Sequence, residues 1–204
     1  MRKIILLIAL VTFSCGLAFG QSKGITPMHL FFQKNADSTI IIEYATDSYD
    51  PHYYKIITRT GDTINTFQYY AIQRAESGIV IPKKLRFLID IEKVKYFSAA
   101  ADINPYFSLV NLPADTLRTI WEKINSGQLW VLDEKLNNVN KCNQQVPVTS
   151  HMGYGIMHLI TKGQIRTLIF NAPEYYEKYC PGNKNRQAFL KLEGLLNRYF
   201  PNNK

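Results

Sequence analysis

Histidine is the side chain best suited to acid–base and metal chemistry near neutral pH, and this sequence contains four: His29, His52, His151 and His158. His158 lies in an isoleucine-rich run, which predicts a buried, neutral imidazole that needs a hydrogen-bond partner. His151 lies in a loop with two glycines, where a ligand can approach the backbone. Because no HxH or HExxH spacing occurs, the sequence predicts neither a metal site nor a cofactor.

Nucleophilic catalysis has no recognisable motif in this chain. Ser150 directly precedes His151, but a catalytic triad is assembled in space and adjacency in sequence does not indicate one. The sequence contains neither a GxSxG nor an SxxK motif, the patterns in which a serine nucleophile is usually recognised. Serine or cysteine catalysis is therefore not predicted.

Two carboxylate pairs are the remaining candidates for catalysis. Glycoside hydrolysis needs two acids about 5–9 Å apart. Asp90 and Glu92 point the same way if their segment is a strand, and Glu174 and Glu177 share a face if theirs is a helix. Lysines flank both pairs, so solvated ion pairs are the preferred interpretation. The sequence thus favours a non-catalytic binding or interaction module, with a secreted hydrolase without a recognisable motif as the alternative.

Binding is better supported by the 13 tyrosines, because tyrosine combines a large apolar face with a polar tip and suits interfaces and sugar stacking. The predicted binding residues are His151, Tyr154, Tyr175 and Tyr176, and the expected partner is a protein or a glycan. A basic cluster could also meet an anionic surface, although a solvated strand face is the preferred interpretation: Lys83, Lys84, Arg86, Lys93 and Lys95. Nucleic acid is not expected as a partner of an exported protein.

The N-terminus has the pattern of a secretory signal peptide. Two basic residues precede an apolar run over Ile4–Phe13, and small residues follow before Gln21. The run is shorter than the roughly 20 residues that cross a membrane. We therefore expect an exported protein, periplasmic or secreted, that begins at Gln21 and has no transmembrane span. Lipid attachment at Cys15 is the alternative, although Thr12 and the apolar residues after the cysteine depart from a lipobox.

Removing residues 1–20 from the 204-residue chain leaves 184 residues, a length that fits one domain over 21–204. The mature chain keeps Cys142 and Cys180, an even pair that predicts a disulfide in an exported protein. Closing this loop contributes on the order of 4 kcal/mol in the chain-entropy model. The mature chain has 22 basic and 16 acidic residues, because Arg2 and Lys3 leave with the signal peptide.

Strand patterns recur along the chain. A β-branched strand is predicted over 38–46, then a hairpin over 52–70 with its tip at Gly61 and Asp62, and a second hairpin from two strands, 156–161 and 164–170. Alternating apolar residues over 85–91 favour another strand, although a helical stripe also fits there. The isoleucines of the second hairpin are predicted to form a core face against the last helix: Ile156, Ile160, Ile165 and Ile169.

Two principal helices are predicted. One covers Pro113–Ser126, with a left-handed cap at Gly127 and an apolar face that includes Trp121. The other covers Asn185–Tyr199, with Asn185 as its cap. Residues 21–36 are predicted to form a loosely held arm, residues 99–112 an irregular stretch and residues 173–180 a turn or short helix. These elements predict an α+β fold with a mainly antiparallel sheet of five to seven strands and both helices packed on it.

Overall fold

The structure is a computed structural model that describes residues 24–45, 53–70, 82–97, 100–132 and 153–200. These residues form six strands: β1 (Ser38–Ala45), β2 (Tyr53–Thr60), β3 (Thr63–Tyr70), β4 (Phe107–Leu109), β5 (Tyr154–Thr161) and β6 (Ile165–Asn171). They also form five α-helices: α1 (Pro27–Asn35), α2 (Lys83–Phe97), α3 (Ala114–Ser126), α4 (Pro173–Tyr179) and α5 (Lys184–Tyr199). Among the described residues, a 3-10 turn, Leu129–Val131, follows α3.

The six strands form one antiparallel sheet in the order β4-β3-β2-β1-β5-β6. The α+β class and the strand number are therefore as predicted. Both hairpins have the predicted register, since Thr60 pairs with Thr63 and Ile160 with Ile165. β4 lies in the stretch that was predicted to be irregular.

Both faces of the sheet are covered, which explains why β1 is apolar without alternation. Ile40 and Ile42 point to one face and Ile41 to the other, and all three are fully buried. On the first face, α3 and α5 pack against the strands through Ile120, Trp121, Ile124, Phe189, Leu192 and Leu196. On the second, α1 packs through Met28 and Phe32. Trp121 is thus a core residue, as predicted.

The predicted isoleucine face does not pack against the last helix. The residues that share the core of α5 are the alternate ones of the second hairpin: Met157, Leu159, Leu168 and Phe170. Ile160 belongs to the core on the α1 side, and Ile169 is 48% exposed. Strand alternation decides which residues share a face, but it does not decide which face the helix covers. The register was therefore right and the assignment of the face was wrong.

The strand predicted over 85–91 is wrong, because this segment belongs to helix α2. Its apolar residues satisfy the helical period as well as alternation, and a strand also needs a neighbour with which to pair. Large apolar side chains of α2 are exposed: Leu85, Phe87, Leu88 and Ile91. The basic residues Lys83, Lys84 and Arg86 are exposed beside them.

Three local predictions also need correction. The arm over 21–36 contains a regular helix, α1, which buries Met28 and Phe32 but leaves Leu30 and Phe31 exposed. The cap of α5 is Asn183, whose side chain accepts a hydrogen bond from the Arg186 amide at 3.0 Å. The predicted cap, Asn185, is the second residue of the helix and is buried. The left-handed residue after α3 is Gln128, with φ of 53°, and Gly127 is right-handed.

Candidate functional site

Three of the four predicted binding residues, all tyrosines, lie at one end of the sheet. Tyr154 begins β5, where it pairs with Asn171 at the end of β6, just before α4. Tyr175 and Tyr176 lie on α4, half-buried, with ring centroids 5.6 Å apart. His151, like His52, lies outside the described residues. The role of the three tyrosines in binding stays a prediction.

The second face of the sheet contains a buried polar cluster made by Glu43, Tyr54 and two histidines. The Tyr54 hydroxyl donates to Glu43 Oε1 at 3.1 Å. Nε2 of His158 lies 3.2 Å from Glu43 Oε2, and its Nδ1 lies 3.1 Å from Thr167 Oγ1. Burial and the neighbouring carboxylate raise the pKa of Tyr54. His158 therefore has the burial predicted for it and two hydrogen-bond partners.

His29 completes this cluster from helix α1. Its Nδ1 accepts from the Thr26 amide at 3.2 Å and lies 2.8 Å from Thr26 Oγ1, so the ring caps the first turn of the helix. The ring stands edge-on to His158 with centroids 4.2 Å apart. Nε2 of His29 is buried without a hydrogen-bond partner among the described residues. Burial, with repulsion by His158, lowers the pKa of His29 to about 3.

This cluster has the components of an acid–base site but not its accessibility. The exposed fraction is 0% for both histidines, 4% for Glu43 and 2% for Tyr54. A general base must come within hydrogen-bonding distance of a substrate proton, and no substrate reaches these atoms in this arrangement. The cluster connects α1 to the sheet, and no sequence pattern indicated that His29 and Glu43 would join His158.

Of the two carboxylate pairs, one lies on a helix instead of the predicted strand, and the other has one carboxylate in an ion pair. Asp90 and Glu92 belong to a helix, so the strand that would have aligned them is missing. Glu177 receives hydrogen bonds from Arg186 Nε at 2.8 Å and Gln187 Nε2 at 2.6 Å. Arg186 is 5% exposed and also donates to the Cys180 carbonyl. Glu177 therefore connects α4 to α5.

A cleft of about 670 Å³ lies between α3 and α5. We call it the α3–α5 cleft. Its apolar floor consists of Ile124, Leu129, Leu190, Leu192 and Leu195. Four exposed cations surround this floor: Lys123 from α3 and Lys184, Lys191 and Arg198 from α5. None of the lining residues is acidic.

Gly194 borders the open space of the cleft. It lies in the interior of α5 and lines the cleft, and a Cβ built there meets no atom within 4 Å. A glycine in a helix interior costs about 0.5–1 kcal/mol relative to alanine, and the backbone of Gly194 needs no positive φ. A side chain at this position would therefore extend into the open space of the cleft.

The cleft was not predicted, although the sequence carried one signal. Lys184, Lys191 and Arg198 recur at seven-residue intervals, which places them along one face of a helix.

Among the described residues, no helix is long and apolar enough to cross a membrane, and no group of three or more ligating side chains has the arrangement of a metal site. Comparisons with protein-family models, curated proteins and solved structures give no match for this chain.

Proposed function

We propose that this protein is an exported, non-catalytic binding module that holds an anionic ligand in the α3–α5 cleft. The observation that carries the proposal is the lining of the cleft, where four cations surround an apolar floor and no carboxylate is present. Like charges along a partly apolar wall repel one another and concentrate anions. The volume of about 670 Å³ falls in the range of about 300–1,000 Å³ that is usual for ligand sites.

The alternative of a secreted hydrolase has less support. It would require His158 and Glu43 to meet water and a substrate, and both side chains are buried. The carboxylate of Glu177 is already occupied by Arg186 and Gln187. Binding in an open, charged cleft needs no such rearrangement, so we do not propose the hydrolase.

Binding of a small anionic, apolar probe, 1-anilinonaphthalene-8-sulfonate, tests the proposal by fluorescence titration. Reversing one cation in the middle of the cleft, Lys191→Glu, is expected to weaken binding about tenfold, which corresponds to roughly 1.4 kcal/mol. Filling the cleft with Gly194→Leu should also weaken binding, because the new side chain enters the open space beside the floor. Raising the salt concentration should weaken binding to the unmodified protein.

The matched control is Lys34→Glu, which makes the same charge change at an exposed lysine of α1, on the other face of the sheet. It should bind the probe as the unmodified protein does. If both cleft variants bound the probe with unchanged affinity, the probe would occupy another surface and the proposed site would be wrong.

The proposed export and disulfide can be tested by one intact-mass measurement on protein recovered from the cell envelope or medium. We expect the mass of residues 21–204 less two hydrogens, with the hydrogens regained on reduction. The two hydrogens correspond to a bridge between Cys142 and Cys180; Cys142 lies outside the described residues, so the bridge stays a prediction. A mass with both thiols free would contradict the bridge, and a lipid-modified chain starting at Cys15 would contradict the cleavage site.

A further inference from the structure

The cations of the α3–α5 cleft are spread along it rather than gathered at one end. Lys184, Lys191 and Arg198 all line the cleft and follow one another at seven-residue intervals on α5. Since an α-helix rises about 1.5 Å per residue, neighbouring cations are about 10 Å apart along the axis and the row is about 21 Å long. A ligand that pairs with all three must carry anionic groups with the same repeat.

Apolar or small residues separate these cations along the same face. Ala188 follows Lys184 by four residues, and Leu195 follows Lys191 by four residues. Spacings that alternate between four and three residues describe the seam along which one helix packs on another. Gly194 beside this seam leaves room for a second backbone to approach, because a Cβ there meets nothing within 4 Å.

On the basis of the proposed function, we propose that the occupant of the cleft is an acidic amphipathic helix of a partner protein. It lies along α5 with Asp or Glu side chains at seven-residue intervals facing Lys184, Lys191 and Arg198. Its apolar side chains cover Leu195 and the floor of the cleft. Amphipathic helices commonly bind in grooves in this way, and about 15 residues would span the row of cations.

Two other anionic ligands fit these observations less well. A single-headed amphiphile would pair with one end of the row and leave the remaining cations without a counterion. An acidic glycan could pair with the row, but it has no apolar side chains to cover the half-buried Leu190 and Leu195 on the floor. The combination of a repeated charge with an apolar seam is what favours a helix.

The experiment uses a synthetic 21-residue peptide made of three seven-residue repeats. In each repeat, two positions lie on the face that would contact α5, and these two positions are Glu and Leu. Its control has the same composition, with the glutamates moved to the opposite face. We expect the first peptide to bind at least about tenfold more tightly and to gain helical circular dichroism on binding. Lys191→Glu should weaken the peptide about tenfold, and Lys in place of the central Glu of the peptide should restore most of that loss.

The outcomes separate this inference from the proposed function. The proposal of an acidic helical partner would be wrong if the two peptides bound equally. It would also be wrong if exchanging the charges between Lys191 and the central Glu of the peptide did not restore affinity. If the naphthalene sulfonate probe still responded to Lys191→Glu, the anionic ligand site would stand and only the helical partner would be wrong. If neither the probe nor the peptide responded to Lys191→Glu, both would be wrong.

Discussion

Acidification from about pH 7 to about pH 4.5 is expected to lower the free energy of unfolding by roughly 2.5 kcal/mol through His29 alone. Burial lowers the pKa of this side chain from 6.5 to about 3, with repulsion by His158 adding to the effect and attraction by Glu43 opposing it. The unfolded chain therefore takes up a proton below its pKa of 6.5, whereas the folded chain keeps the ring neutral. The stabilisation is complete above pH 6.5 and is lost progressively as the pH falls towards 3.

The control for this prediction is His29→Asn. Asparagine retains an acceptor near the Thr26 amide but does not titrate. The variant is therefore less well packed, and its stability lacks the pH dependence that His29 contributes. Urea unfolding at several pH values measures both proteins. Carboxylates that titrate in the same range are common to the two chains, so their effects cancel in the difference. Parallel stability curves for the two proteins between pH 6.5 and 4.5 would contradict the prediction.

Gly155→Ala is expected to destabilise the protein by about 3 kcal/mol, the upper end of the usual cost of overpacking. A Cβ at this position of β5 would lie 2.1 Å from Cζ of Phe189 on α5. Phe189 has little freedom to move, because it is fully buried and stacked on Phe170 with centroids 4.6 Å apart. Either the ring or the whole helix must shift, and both movements disturb the main core.

A double-mutant cycle with Phe189→Leu isolates this contact. Leucine lacks the far end of the ring, so Gly155→Ala should cost less than about 1 kcal/mol in that background. Gly163→Ala is the matched control, since a Cβ in that turn meets nothing within 4 Å, and it should change stability by less than about 0.5 kcal/mol. Equal costs of Gly155→Ala in the two backgrounds would show that Phe189 is not the reason for the glycine.

The parts of the fold that could be predicted are those fixed by short-range chemistry. Two-residue turns set the register of both hairpins, and Leu117, Ile120 and Ile124 mark one face of α3 at helical spacing. The predictions that were wrong concern features that depend on contacts with distant parts of the chain. The alternation of Ile156 and Ile160 could not indicate whether α5 or α1 would cover them, and α2 could not be distinguished from a strand without knowing its neighbours.

In the candidate sites too, local features could be predicted from the sequence, and contacts between distant segments could not. The burial of His158 followed from its own strand, but its partner Glu43 is 115 residues away in sequence and no local pattern joins them. The α3–α5 cleft requires two helices to sit side by side on one sheet, which is a property of tertiary packing. The seven-residue spacing of Lys184, Lys191 and Arg198 was visible in the sequence, but without the cleft it describes only a charged helix face.

The central position of β1 has a consequence for the order in which the protein folds. β1 pairs with β2 nearby in the chain, whereas its pairing with β5 joins residues as far apart as Ser38 and Thr161. Each hairpin closes a short loop, but the pairing of β1 with β5 must close a loop of more than 100 residues, and such long-range contacts are slow to form. The two halves of the sheet are therefore expected to form early as separate hairpins, and their docking along β1 to limit the folding rate.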